Sequence, residues 1–324
     1  MRVLSPLPSG EGRGEGTFDD AVRPSFSFLP GDDYNPSPMS APLKEKITLT
    51  HLRQARKENK KLPILTCYDF TMARLMQEAG IPAILVGDSA SNVILGHDTT
   101  LPISLDFLID ITAAVRRGAP LAFLIGDMPF GSYQVSTEQA LENVFRMIKS
   151  TNCDAVKLEA TDEHAPLVKT LNAAGAAVIA HLGLRPQSVN TLGGYRYQGR
   201  TALEAQKIVA LSLLMEQSGA AAILLEAVPP EVANAVIEVC SVPVIGCGAG
   251  PACHASVIVT HDGLGLTKNQ PRFVPTLADI ATPLREAFSR YAADVTSGKY
   301  PAPQHNYAMP PEEQTKLRAW LSNR

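Results

Sequence analysis

Eight times along the chain, a run of apolar, β-favouring residues ends in a polar, acidic or small residue and gives way to a segment of helical spacing. The runs occupy residues 63–69, 83–89, 121–127, 155–159, 177–181, 221–226, 242–248 and 257–262. Between them, Leu105, Leu108, Ile109 and Thr112 keep one helical face, and Gly118 stands where a C-terminal stop belongs. Ser136 with Gln139 makes a capping box ahead of Leu141, Val144, Phe145 and Ile148, which share a face. Further helices are expected from Thr201 to about Gly219, from Leu277 to Val295, and once before the first strand. Strands that are apolar on both faces belong to a parallel sheet shielded by helices. Eight such units predict an α/β fold, a single-domain (β/α)8 TIM barrel, which typically takes about 250 residues. The rival, an open doubly wound sheet, usually has a glycine-rich first turn, and Cys67-Tyr68-Asp69 is not one.

The barrel is expected over residues 39–300. Residues 1–38 are crowded with Pro, Gly, Ser and acids, show no period of 2 or 3.6, and read as a disordered extension. They lack the apolar stretch of a signal peptide and the arginines of a transit peptide, and Met39 offers an alternative start. Residues 301–324 form a C-terminal tail that turns helical around Glu312 to Leu321. The net charge of −3 provides no basic excess for a phosphate backbone, so nucleic acid is not an expected partner. No apolar run is long enough for a membrane span. The five cysteines (Cys67, Cys153, Cys240, Cys247, Cys253) are scattered, without a CxxC pair. They predict free thiols in a reducing cytoplasm rather than disulfides or a zinc site.

In such a barrel the chemistry sits at the C-terminal ends of the strands. Those ends carry Asp69, Asp88 with Ser89, Asp127, Lys157 with Glu159, His181, Glu226, Gly248 and Asp262. Acids brought to one mouth repel each other, and some protonate unless a cation sits among them. Oxygen ligands without an adjacent Cys or His pair suit Mg2+ before Zn2+. Plainer alternatives stand beside each feature. Any single Asp caps the next helix; Lys157 and Glu159, two apart on one strand face, form a structural pair. His181 is a core histidine, and Gly246-Cys-Gly248-Ala-Gly250 is a tight turn rather than a phosphate cradle. Caps alone, however, do not require acids on so many successive strands. A metal among carboxylates, a lysine for an anion and a spare glutamate suit proton abstraction beside the carbonyl of a 2-oxo acid.

Further motifs lie in order between Ile47 and His305. They are Thr66-Cys-Tyr-Asp69, Leu85-Val-Gly-Asp-Ser89, Gly96-His-Asp-Thr-Thr-Leu-Pro102, Ala113-Ala-Val-Arg-Arg-Gly-Ala-Pro120 and Gly126-Asp-Met-Pro-Phe130. They continue with His181-Leu-Gly-Leu-Arg-Pro-Gln-Ser-Val-Asn190, Gly193-Gly-Tyr-Arg-Tyr-Gln-Gly-Arg200 and Pro243-Val-Ile-Gly-Cys-Gly-Ala-Gly250. Together they resemble the ketopantoate hydroxymethyltransferase (3-methyl-2-oxobutanoate hydroxymethyltransferase) family. The resemblance implies a Mg2+-dependent barrel enzyme, commonly a cytoplasmic homo-oligomer of ten subunits. Its implied reaction transfers a hydroxymethyl group from 5,10-methylenetetrahydrofolate to 3-methyl-2-oxobutanoate, giving 2-dehydropantoate for pantothenate synthesis. It implies Asp88 and Asp127 as metal ligands, with Glu159 as a third, outer one. Asp88, Ser89, Asp127, Lys157 and His181 would surround the 2-oxo acid, and Glu226 would accept the proton. The sequence departs from the family's usual pattern at Ala160-Thr161, at residues 251–256 and at Lys268-Asn269. Two other readings share the barrel. One is a carbon–carbon lyase of the phosphoenolpyruvate mutase kind, whose usual loop cysteine is missing after strand four; the other is a paralogue that only binds a 2-oxo acid.

Overall fold

The computed structural model describes residues 41–268 and 270–324. Its strands are β1 (Leu62–Thr66), β2 (Ala83–Val86), β3 (Phe123–Asp127), β4 (Ala155–Glu159), β5 (Val178–Gly183), β6 (Ala222–Glu226), β7 (Val244–Cys247) and β8 (Ala255–Ile258). They pair in sequence order, all parallel, and β8 returns to β1 to close the barrel. The expected fold is therefore present, while the extension expected over residues 1–38 lies outside the described residues.

The strand period of two sorts the apolar runs into two layers. Ile64, Leu85, Phe123, Ile125, Ile179, Leu224, Ile245 and Val257 point inward and form one buried cluster. Their neighbours Leu124, Val156, Leu158, Ala180, Leu225 and Val244 join the cluster that packs under the helices. Helix Leu49–Lys57, the one expected before the first strand, closes the bottom of the barrel. Its Leu52 is buried in the inner cluster, and burial of such a side chain contributes about 1.5–3 kcal/mol. The Ile47 amide just before it donates to the Leu121 carbonyl.

Six helices return the chain between strands: Phe70–Glu78, Leu105–Gly118, Thr137–Thr151, Ala165–Ala173, Ala202–Gln217 and Pro230–Val239. The hydroxyls of Ser136 and Thr201 cap two of them, accepting from the amides of Gln139 and Glu204. The inner stripe of Thr137–Thr151 centres on Ala140, Val144 and Met147, so Leu141, Phe145 and Ile148 sit on its flank. Met147 turns inward because it fills the space over Gly126, where a Cβ would stand 3.1 Å from its sulfur. Gly118 ends its helix for a different reason from the expected left-handed stop. The cap is Ala119, and a Cβ on Gly118 would fall 2.3 Å from the Phe70 carbonyl oxygen.

The last part of the barrel departs from the sequence expectation. No helix joins β7 to β8; residues 248–254 run down the outside instead. The eighth strand begins at Ala255, and residues 260–263 form a short helix rather than the strand end expected there. The final long helix is Ala281–Thr296, starting later than Leu277 because the Asp279 carboxylate accepts from the Thr282 amide and hydroxyl. None of its residues is buried. The tail carries helix Pro311–Ser322, as expected. No helix among the described residues is long and apolar enough to cross a membrane.

The descending segment ends in His254, at the barrel bottom. Its Nδ1 accepts from the Val244 amide at 3.0 Å, while its own amide and carbonyl pair with Val244 and Leu62. Burial, then the charges of Arg56 and Lys61, push the ring down to about 4. Protonation would also set an N–H against the Val244 N–H. A histidine depressed from its ordinary value near 6.5 gives stability that is complete above that pH and is lost as pH falls toward 4. Discounted for solvent screening, the loss is about 1–2 kcal/mol. Urea unfolding at pH 6.5 and pH 4 should show it, and His254→Asn should remove that part of the difference. An identical difference in the variant would contradict this account.

Candidate active site

The same inward alternation that builds the core delivers polar residues to the mouth. On β3, Phe123 and Ile125 lead up to Asp127, which is fully buried. On β4, Ala155 leads to Lys157 and Glu159, both buried and facing the same way. Strand register sets Asp127 beside Lys157, and Glu159 beside His181 of β5. The Lys157 Nζ lies 2.8 Å from Asp127 Oδ1. Asp88, just past β2, donates its amide to Asp127 Oδ2 at 2.9 Å. Opposite the lysine, His181 Nδ1 lies 3.4 Å from Lys157 Nζ, and its Nε2 lies 3.1 Å from Glu226 Oε2 at the end of β6. Ser89 precedes the short helix Ala90–Val93, and its Oγ is 2.8 Å from the Tyr68 hydroxyl.

Asp88, Ser89, Asp127, Lys157, Glu159, His181 and Glu226 thus gather at one end of the barrel, as expected from their strand-end positions. Three other strand-end candidates do not join them as chemical groups. Asp69 is exposed and caps helix Phe70–Glu78 by accepting from the Met72 amide. Asp262 lies on the short helix and accepts from the Thr267 hydroxyl at 2.6 Å. Gly248 makes a tight turn: its φ is +67°, and a Cβ would meet the Phe273 ring at 2.7 Å. The plainer reading, a helix cap or a tight turn, holds for Asp69 and Gly248, while Asp262 is neither a cap nor a mouth acid.

Charge balance in this mouth is unfavourable without a further cation. Burial pushes the Asp127 carboxyl up to about 8, against the pull of Lys157, and the charge of Asp88 adds to the rise. Burial likewise lifts Glu159 to about 9, with Lys157 opposing and Asp88 adding. Burial by itself would depress Lys157, but the charges of Asp127, Asp88 and Glu159 hold it above its ordinary value. Burial and then Lys157 depress His181, so the ring is neutral. With the ammonium facing Nδ1, its proton sits on Nε2, toward Glu226. One lysine faces three acids, and Glu159 Oε2 is buried without a hydrogen-bond partner among the described residues. Carboxylate oxygens in this excess suit a hard divalent ion. Among the described residues no three His, Cys, Asp or Glu side chains close on one point. That suits Mg2+, which commonly takes one or two carboxylates and fills its shell with water and substrate.

Several participants carried no recognised signal. Gln187, within the quoted 181–190 motif but assigned no role, donates its side-chain amide to Asp88 Oδ2 at 3.0 Å. Tyr133 bridges Gln187 and the Glu159 backbone. Ala227, directly after Glu226, has φ +48°, held by hydrogen bonds to the Cys247 carbonyl and from the Gln198 amide. A non-glycine residue in that region stores strain, typically of order 1–3 kcal/mol, and such strain clusters at functional sites. Tyr195 belongs to the glycine-rich 193–200 motif; partial burial and then the charges of Asp88, Glu226 and Glu159 raise its hydroxyl. The departures from the family pattern lie mostly elsewhere. Ala160 is buried and donates its amide to the His181 carbonyl, and Thr161 caps the turn Asp162–His164. Of residues 251–256, the first four belong to the link from β7 to β8, and Ala255 and Ser256 open β8 at the end of the barrel away from the mouth. Lys268 is exposed, and Asn269 lies outside the described residues.

Comparison with known proteins bears on the fold and the family. The solved structure of a phosphonopyruvate hydrolase superposes with a TM-score of 0.55 at 17% identity, covering 86% of this chain and 96% of that one. A 2,3-dimethylmalate lyase does so with a TM-score of 0.52 at 16% identity, covering 84% and 98%. At these identities the likeness shows the shared barrel. Sequence relatives are closer. The 3-methyl-2-oxobutanoate hydroxymethyltransferase of Mycobacterium marinum is 44% identical over 86% of this chain and 94% of its own length. Those of Thermoanaerobacter sp. and Chloroflexus aurantiacus are 42% and 45% identical, over 84% and 83% of this chain and 99% and 95% of theirs. The family profile described as ketopantoate hydroxymethyltransferase matches residues 46–303. Profile and relatives together show that the chain belongs to the ketopantoate hydroxymethyltransferase family.

Proposed function

We propose that this enzyme transfers a hydroxymethyl group from 5,10-methylenetetrahydrofolate to 3-methyl-2-oxobutanoate, forming 2-dehydropantoate on the way to pantothenate. The observation that carries this reading is the pairing of Lys157 with Asp127 on one side of the mouth and of His181 with Glu226 on the other. Lys157 offers a fixed positive charge to the substrate carboxylate, and the Ser89 hydroxyl, positioned by Tyr68, adds a hydrogen bond. Neutral His181 lies beside the bound acid and engages one oxygen of Glu226, leaving the other to take the C3 proton. Mg2+ held by Asp88 and Asp127, with Glu159 outside them, would supply Lewis-acid polarisation of the keto oxygen. The C3 carbon then takes the one-carbon unit, water provides the hydroxyl oxygen, and the proton on Glu226 is available to the departing folate nitrogen. Turnover with 5,10-methylenetetrahydrofolate and a panel of 2-oxo acids tests the reading. Product formed with 3-methyl-2-oxobutanoate supports it; tight binding of that acid with no turnover would leave a binding protein instead.

The working form is a homo-oligomer on the same proposal. Helix Ala281–Thr296 exposes Leu284, Phe288, Tyr291 and Val295 on one stripe, Phe288 to 67%. Pro63 and Ser256, outward on β1 and β8, are exposed too, so this side of the barrel lacks a covering helix. Apolar stripes of this kind are covered in stable proteins. Phe288→Asp should therefore lower the mass measured by light scattering. Unchanged mass would argue that the stripe is not an interface.

A further inference from the structure

We propose that Gln187 is a positioning residue that aims two carboxylates of the mouth, Asp88 and Glu159, at a common cation. This rests on the metal-dependent reading above. Gln187 lies in the turn Pro186–Ser188 that follows β5, and it is buried. Its side-chain nitrogen donates to Asp88 Oδ2 at 3.0 Å and to the Met128 carbonyl at 2.9 Å. Its backbone amide donates to Glu159 Oε1 at 3.0 Å. Its side-chain oxygen accepts from the Tyr133 hydroxyl at 2.8 Å and from Gln134 Nε2 at 3.3 Å.

This pattern uses both amide N–H groups and both lone pairs of the side chain, so the amide has one orientation. Flipping it would set its oxygen against Asp88 and the Met128 carbonyl, and an N–H against the Gln134 amide nitrogen. One residue therefore ties β2, β3 and β4 together at the level of the acids. It fixes one oxygen of each carboxylate, and the other oxygen of Glu159, Oε2, is left buried without a partner among the described residues. An unpaired buried carboxylate oxygen is costly unless something outside the chain completes it. A residue that merely packed the loop would need neither the contact to Asp88 nor that to Glu159. Partners that orient metal-binding groups typically change metal affinity 10–100-fold when removed.

The test is a titration of the metal-free full-length protein with Mn2+, followed by electron paramagnetic resonance of the free ion, without substrate. Gln187→Met keeps the length of the side chain and removes its donor to Asp88 and the Met128 carbonyl, while the backbone amide stays on Glu159. It should weaken Mn2+ binding about 10–100-fold. Tyr133→Phe keeps the ring and removes the hydroxyl that locks the amide, and should weaken binding by a smaller factor. Melting temperature is followed in parallel. Should Gln187→Met fail to fold, Tyr133→Phe and Gln187→Asn, whose shorter amide cannot reach Asp88, carry the same expectation. Wild-type Mn2+ affinity in the folded variants overturns the inference while leaving the metal-dependent reading intact. Absence of Mn2+ binding by the wild-type protein overturns both. Weakened binding with unchanged melting supports the positioning role.

Discussion

Glu226→Gln should slow exchange of the C3 proton of 3-methyl-2-oxobutanoate for deuterium by about 10²–10⁴-fold, the usual worth of a general base. The exchange needs the acid, Mg2+ and heavy water, and no folate, so it isolates the first half of the proposed reaction. Gln keeps the size of the side chain and its place beside His181 Nε2, 3.1 Å away in the wild type, but it cannot take a proton. Substrate and metal binding should therefore persist, and the loss should appear in the rate constant rather than in KM. Nuclear magnetic resonance of the C3 position measures it directly. Exchange at the wild-type rate would remove Glu226 from the role of base and turn attention to Glu159 and His181, the other proton acceptors in reach.

Asp88→Asn should lower turnover by about 10³-fold, equivalent to about 4 kcal/mol at 1.36 kcal/mol per tenfold, because Lewis-acid stabilisation is worth several kcal/mol. The fold should survive. The Asn oxygen can still accept from Gln187 Nε2, which is 3.0 Å from Asp88 Oδ2, and losing one of three crowded acids relieves repulsion. Asp127→Asn should remove turnover as well but cost more stability, because it strips the ion-pair partner of the buried Lys157. Chemical unfolding of the two metal-free variants separates these effects, with Asp88→Asn expected at or above wild type. Full Mg2+-dependent turnover in Asp88→Asn would contradict its assignment as a ligand.

The strand-end reading succeeded where a local rule carried over to three dimensions. Lys157 and Glu159 are two residues apart on a strand, so they must share a face whatever surrounds them. Once eight parallel strands close, all inward ends meet at one mouth, which is why Asp127, Lys157, Glu159, His181 and Glu226 were legible as a group. The rule failed at Asp69 and Asp262. At Asp69 a strand-end acid and a helix N-cap occupy the same place in the sequence, and only the backbone turn after the strand decides which one the side chain becomes; at Asp262 the strand ends earlier, at Ile258, so the acid falls within the next short helix. The rule also failed after the seventh run, where a segment of helical spacing was expected. The link from β7 to β8 has no helix, and the chain instead descends the exterior to His254.

Apolar runs alternating with helical segments, together with the acids and lysine at their ends, determined the barrel, its closed order and the chemical character of its mouth. These follow from short-range periodicity and from the need to shield apolar faces. The tertiary structure alone decided which groups complete the site. Gln187 is 99 positions from Asp88 and 28 from Glu159, and nothing local in the chain marks their hydrogen bonds. The left-handed turn at Ala227 and the rotation of helix Thr137–Thr151 toward Gly126 are of the same kind. Each depends on a contact between distant segments that exists only after the barrel has closed.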